Sequence, residues 1–223
     1  GGTDSYVFFS IGVPDGGALA IIEAMHEPMI EQHFVESADL AYQAAPLLAR
    51  PVHEAAQLLV GTLTAGGKLL AAGDGPTTAL TGYVAARLVS RLERERPGLA
   101  ALALGADAVL RATLSAASDP AQTLARQIEA LGQPGDVLLL LSPGGQGAAV
   151  LGAVQAAHER DMSIIAITGQ SGAELARLLR ETDVHLAAPH TRELRVIELM
   201  LLLLHCLCEC VDDQLLGEAE GQP

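Results

Sequence analysis

KLLAAGDGPTTA, from Lys68 to Ala79, and VLLLLSPGGQGAAV, from Val137 to Val150, repeat one design: an apolar run, a glycine-rich turn, then a helix-forming run. A strand that passes through glycines into a helix N-terminus aims unpaired backbone N–H groups, and the positive end of the helix dipole, at a single point. Each stretch therefore outlines an anion cradle. Further short apolar runs lie at Leu99–Leu104, Ser163–Thr168 and Val184–Ala187, each flanked by Gly, Pro or Asp, and read as strands with Lys68–Ala72 and Val137–Leu141. Between them, helical spacing predicts helices at Thr78–Glu93, Ala106–Ala116, Pro120–Leu131, Ala148–Arg160 and Gly172–Leu179, with a long last helix over Thr191–Leu216. Alternation of this kind predicts an α/β fold: a three-layer, doubly wound, five-stranded parallel sheet covered on both faces. Right-handed crossovers then bring both glycine turns to the same sheet edge.

Ahead of the sheet, Ile30, Phe34, Ala38 and Ala41 mark a helix over Met29–Ala44, and a second is expected over Val52–Thr64. Pro46 and Pro51 are read as the break between them. Residues 1–24 carry no Lys or Arg and read as an extension before a single domain spanning residues 25–223; they lack the basic start of a secretory signal.

Composition limits the partners. The 223 residues are 50% hydrophobic but include no Trp and only three Phe and three Tyr, so the core must be packed from Leu, Ala, Val and Ile. Thirteen basic against 27 acidic residues give a net charge of −14, which argues against a direct grip on nucleic acid. The apolar run Leu199–Leu204 falls far short of the roughly 18 residues that span a bilayer, so no membrane contact and a cytoplasmic setting are expected. Cys206, Cys208 and Cys210 suit neither a disulfide framework nor a zinc site, and read as small buried hydrophobes. His185, His190 and His205 read as surface or satisfied core histidines, and Arg91, Arg94 and Arg96, alternating with Glu93 and Glu95, as a solvated ion-paired face.

From Phe34 to Leu216 the chain resembles the SIS (sugar isomerase) domain of the phosphoheptose isomerase group. Within it, the chain looks like the DiaA-like branch that associates with the replication initiator DnaA. The resemblance rests on RLERERPGLAALAL (Arg91–Leu104), QIEALGQPGDVLLLLS (Gln127–Ser142), AAHERDMSIIAITG (Ala156–Gly169) and HCLCECVDDQLL (His205–Leu216), in series. It implies a flavodoxin-like strand order and a homotetramer with pockets between subunits.

Against the family pattern the two turns are altered. The first resembles Gly-Asn-Gly-Gly-Ser in the isomerases and here reads Gly73-Asp74-Gly75-Pro76-Thr77; Asp74 brings a carboxylate and Pro76 removes a donor. The second, rich in Ser and Thr in the family, here reads Ser142-Pro143-Gly144-Gly145-Gln146-Gly147. Three lost hydroxyl–phosphate hydrogen bonds at roughly 1.5–3 kcal/mol each would remove on the order of 5 kcal/mol. The resemblance also places Tyr83 and Arg87 where the isomerases carry a His and a Glu that move the proton. It places Ile197 and Met200 where they carry a Gln and a His that, with the first two, cup a metal. Glu198 keeps a family Glu and is read as pairing with Arg87, while Ala116 and Ala117 replace an Asn-Asp pair.

These departures lead to the expectation of no catalytic residue, no metal and no cofactor. The expected role is that of a tetrameric scaffold gathering DnaA, with Leu215 and Leu216 as a partner contact. The alternative is a phosphosugar-binding protein, or an isomerase-like enzyme with a remodelled pocket. In it Gly73, Asp74, Gly75, Thr77, Ser142, Gly144, Gln146 and Gly147, with Arg87, would hold a sugar phosphate.

Overall fold

The computed structural model describes residues 16–117 and 119–217. Helix α1 spans Gly16–Thr64, and β1 (Leu69–Gly73), α2 (Thr78–Val89), β2 (Ala101–Ala103), α3 (Ala108–Ala117) and α4 (Thr123–Leu131) follow. The remaining elements are β3 (Val137–Ser142), α5 (Ala148–Glu159), β4 (Ser163–Thr168), α6 (Ala173–Ala176), β5 (Val184–Ala187) and α7 (Glu193–Leu216). The chain divides between Asp39 and Leu40 into two compact units. Leu40 is the first described side chain of the core, and the body described below is the one that begins there.

All five strands run parallel in the order β2-β1-β3-β4-β5, as the resemblance implies. Alternating side chains build two cores. Leu69, Ala71, Val137, Leu139, Leu141, Ile165 and Ile167 face one way and pack with Leu59, Leu88 and Leu204 of α1, α2 and α7. Leu70, Ala72, Leu138, Leu140, Ile164 and Ala166 face the other and pack with Ile128 of α4 and Val154 of α5. Burial on both faces is why β1, β3 and β4 read as unbroken apolar runs.

Two expectations about helices need correction. Pro46 and Pro51 do not end a helix: α1 continues through both. An interior proline costs about 3 kcal/mol. Yet Leu40, Ala44, Leu48, Val52, Ala55 and Leu59 keep helical phase across both and are buried. At roughly 1.5–3 kcal/mol for each large side chain, that stripe offsets the missing backbone bonds. The second correction is that α2 stops at Val89, four residues short of Glu93. The Arg96 side chain, 1% exposed, takes over its end by donating from Nη1 to the Leu88 carbonyl (2.8 Å) and from Nη2 to that of Arg87 (3.1 Å). Arg96 is thus a buried cap and not part of a solvated face. Arg91 does pair with Glu95, and Arg94 with Asp213.

Carboxylates lock the N-terminal edge of the sheet. Asp136, 2% exposed, accepts from the Lys68 N–H (2.9 Å), Lys68 Nζ (2.5 Å) and the Gln133 N–H (2.8 Å). Asp183 accepts from the N–H groups of Ile164 (2.8 Å) and Arg180 (2.7 Å) and bonds His158 Nε2 (2.7 Å). Replacing Asp136 by Ala strands a lysine and two amides, and is expected to cost about 3–5 kcal/mol of unfolding free energy, read from urea midpoints.

Candidate functional site

The register Leu69 opposite Val137 through Gly73 opposite Leu141 ends β1 and β3 side by side, so both glycine turns stand together at the C-terminal edge. Close packing here demands glycine. A Cβ on Gly73 would lie 2.7 Å from Thr77 Oγ1, and one on Gly145, whose φ is +59°, would lie 2.6 Å from the Gly172 Cα. Between the turns is a cleft of about 410 Å³ lined by Asp74, Gly75, Pro76, Pro143, Gly144, Ser171, Thr191 and Glu193.

The hydroxyls expected to serve a phosphate are used by the fold instead. Thr77, fully buried, donates to the carbonyls of Asp74 (2.7 Å) and Leu141 (2.8 Å). Ser142, also fully buried, donates to Asp74 Oδ2 (2.8 Å) and accepts from the Gly145 N–H (3.0 Å). Gln146 reaches the Ser171 carbonyl at 3.5 Å. Gly144 borders open space, as do Gly75 and Gly147, the last at the α5 N-terminus with no side-chain cap. Of the charged side chains lining this cleft, Asp74 and Glu193 are carboxylates and none is basic, so no side chain in it offers a phosphate a counter-charge.

A second cavity, of about 550 Å³, opens between α2 and α7. Tyr83 and Arg87 lie one helical turn apart on α2 and face His205 and Glu209, placed the same way on α7. Tyr83 Oη and His205 Nε2 are hydrogen-bonded at 2.8 Å, and the Arg87 guanidinium lies 5.0 Å from the centre of the Tyr83 ring. A phenol and an imidazole sharing a proton are an acid–base pair, and the stacked cation beside them suits an anion.

The structure separates the other residues expected near this site. Arg87 does not pair with Glu198, which is exposed and accepts from Arg195 Nη1 at 2.5 Å. Met200 is fully buried in the core, Ile197 is half-buried on α7, and Ala116 lies exposed in α3. Leu215 is partly buried against the core while Leu216 stays exposed. His185 Nε2 bonds Thr168 Oγ1 at 2.9 Å, and His190 Nδ1 accepts from the Arg192 N–H at 2.9 Å. His205 is the residue that sequence reasoning missed. It lies on a helix whose buried residues are mostly Leu, Met and Val, with Arg195, Cys208 and Asp212 among them, and nothing in that pattern singles it out.

Burial pushes the Cys208 thiol up to about 12, with the Asp212 charge adding to it, and burial also raises Cys206 and Cys210. None of the three is a ready thiolate. The donor set does not fit a metal either. Arg87 and Met200 stand where the resemblance puts ligands, and no group of three or more His, Cys, Asp or Glu among the described residues is placed to hold one. No described helix is long and apolar enough to cross a membrane.

Residues 32–169 match the SIS domain family model. The chain belongs to the SIS domain family. It is 48% identical over 196 residues, 88% of this chain and 98% of the relative, to the phosphoheptose isomerase of Methylibium petroleiphilum. The solved phosphoheptose isomerase of Neisseria gonorrhoeae superposes with a TM-score of 0.80 at 37% identity, covering 84% of this chain and 98% of that one. That of Francisella tularensis gives 0.81 at 31%, with the same coverage.

These likenesses overturn the expectation of a non-catalytic SIS scaffold that gathers DnaA, because relatives that share nearly half its residues are named for the isomerase. The physical error lay in weighing four replaced side chains one at a time. An imidazole two turns along α7 from Glu198 meets the Tyr83 phenol, and the sequence alone does not display that contact.

Burial lowers His185 below the ordinary histidine value of about 6.5. Between that lowered value and about 6.5 the unfolded chain binds the extra proton, so stability is full above this window and falls as pH drops through it. The variant His185→Gln, which keeps a donor toward Thr168, is expected to flatten this loss in urea midpoints compared from about pH 7 to about pH 5.

Proposed function

We propose that this SIS protein catalyses the aldose–ketose isomerisation of a phosphorylated sugar in the cavity between α2 and α7. The observation that carries the reading is the Tyr83–His205 hydrogen bond beside Arg87. Isomerisation shifts a proton between adjacent carbons while a carbonyl becomes a hydroxyl and its neighbour a carbonyl. His205 is suited to take the carbon-bound proton and return it to the neighbouring carbon. Tyr83 Oη is suited to donate to the carbonyl oxygen as it gains charge. Arg87, always protonated, holds the phosphate or the enediolate. The carboxylate-lined cleft at the glycine turns is a poor place for the phosphate, which supports assigning that end to Arg87. The relatives' name makes a phosphorylated heptose the first substrate to test.

Incubation with sedoheptulose 7-phosphate, followed by NMR, is expected to show aldose–ketose interconversion. Removing either proton-transfer group, in Tyr83→Phe or His205→Gln, should lower kcat by about 10²–10⁴-fold. Arg87→Met should act mainly on KM. No turnover, together with no rise in melting temperature at millimolar sugar phosphate, removes the reading, since a true ligand must stabilise by mass action.

The protein is further read as a homo-oligomer, which the resemblance implies. An apolar groove of about 310 Å³ lies between Ala44, Leu48 and Val52 of α1 and Leu199, Leu203 and Cys206 of α7. It is bordered by Leu202, which is 44% exposed. Such a face fits a second copy of this chain. Light scattering is expected to give a multiple of 23.1 kDa, four times it for the tetramer, and Leu202→Glu should lower that mass. A wild-type monomer removes the idea.

A further inference from the structure

Arg96 lies outside both helices that carry the acid–base pair, yet it joins them. Its Nη atoms hold the Arg87 and Leu88 carbonyls at the end of α2, and its Nε donates to Asp212 Oδ1 of α7 at 2.5 Å. The two side chains are 1% and 4% exposed. We propose that Arg96, anchored by Asp212, is a positioning residue that sets the approach of Tyr83 to His205.

The helices then meet at two fixed points. Along α2, Tyr83 and Leu88 are five residues apart, about 7.5 Å at 1.5 Å per residue. Along α7, His205 and Asp212 are seven apart, about 10.5 Å. One contact lets a helix pivot about it, whereas a second at this separation fixes both axial rotation and sliding. The grip falls on the last turn of α2, which ends at Val89: the Arg87 carbonyl is held by Arg96, and the Leu88 carbonyl by Arg96 together with the Leu99 N–H at 2.9 Å. Loosening it frees the last turn, which carries Arg87, and disturbs the turn before it, which carries Tyr83. A buried ion pair adds little net stability over apolar side chains of the same volume. What Arg96–Asp212 supplies instead is a single geometry, held by a planar fork that lysine cannot reproduce.

The proposal rests on the isomerase reading, and two readouts keep their failures apart. In Arg96→Lys, kcat with sedoheptulose 7-phosphate is expected to fall about tenfold to a hundredfold with KM little changed. In the same protein, without substrate, the His205 ring ¹⁵N resonance should move as its bond to Tyr83 loosens. Arg96→Gly supplied with guanidinium ion should recover part of both. Asp136→Ala, destabilised where Asp136 binds Lys68 and Gln133 rather than α2 or α7, serves as the control and should leave both readouts at wild-type values. Unchanged kcat and an unchanged His205 resonance in folded Arg96→Lys overturn the proposal, as does an equal change of both in Asp136→Ala. Should Arg96→Lys fail to fold, Asp212→Asn keeps an acceptor for Nε and is judged by the same two readouts. If the wild type turns nothing over, the isomerase reading falls while the His205 resonance still decides whether Arg96 positions the pair.

Discussion

The parallel pairing of β1 with β3 is the constraint from which the rest of the molecule follows. With Leu69 set opposite Val137 and Gly73 opposite Leu141, both strands must end at one edge and both glycine turns must share it. The opposite edge is closed by buried carboxylates, since Asp136 collects the Lys68 and Gln133 donors and Asp183 those of Ile164 and Arg180. That asymmetry leaves the C-terminal edge, and the helices that start from it, to carry chemistry. It also fixes α2 to begin directly after the first turn, which places Tyr83 and Arg87 one and two turns along it.

At that edge, an anion cradle and a structural joint compete for the same polar atoms. The Ser142 hydroxyl bridges the Asp74 carboxylate and the Gly145 amide, and the Thr77 hydroxyl is bound to two carbonyls. The Ser142 bonds and the Thr77–Leu141 bond tie the turns to β3, and the Thr77–Asp74 bond closes the first turn on itself. The hydroxyls are therefore fully committed before any ligand arrives. Asp74 supplies internally the negative charge that such a cradle would otherwise draw from solution.

Most of the fold was legible in the sequence because burial on both faces writes strands as apolar runs. Val137–Leu141, Ser163–Thr168 and Val184–Ala187 match observed strands to within one residue at each end. What misled was local chemistry judged without its tertiary partner. Proline marks a helix break by its own geometry, but the buried stripe from Leu40 to Leu59 outweighs two of them in α1. Arg96, amid Arg and Glu, has the composition of a solvated segment, and only Asp212, 116 residues away, turns it into a buried cap. For the same reason His205 read as a bland histidine on an apolar helix. Its meaning depends on Tyr83, 122 residues earlier, and no periodicity carries information across that distance.

Under the proposed isomerase reading a chain of net charge −14 must receive an anionic sugar, and the same long-range pairing says how. Glu93, Glu209, Asp212 and Asp213 all border the α2–α7 cavity, which at first sight repels a phosphate. Asp212 is bound by Arg96 and Asp213 by Arg94, so those two charges are met at short range. Glu93 and Glu209 are exposed, where water and salt screen them within roughly 10 Å. Arg87 differs from all of these. It is half-buried, stacked on Tyr83, and among the described residues has no carboxylate within ion-pair reach. A protein field is set less by net charge than by which charges are left uncompensated away from water, and in this cavity that charge is the Arg87 cation beside the acid–base pair.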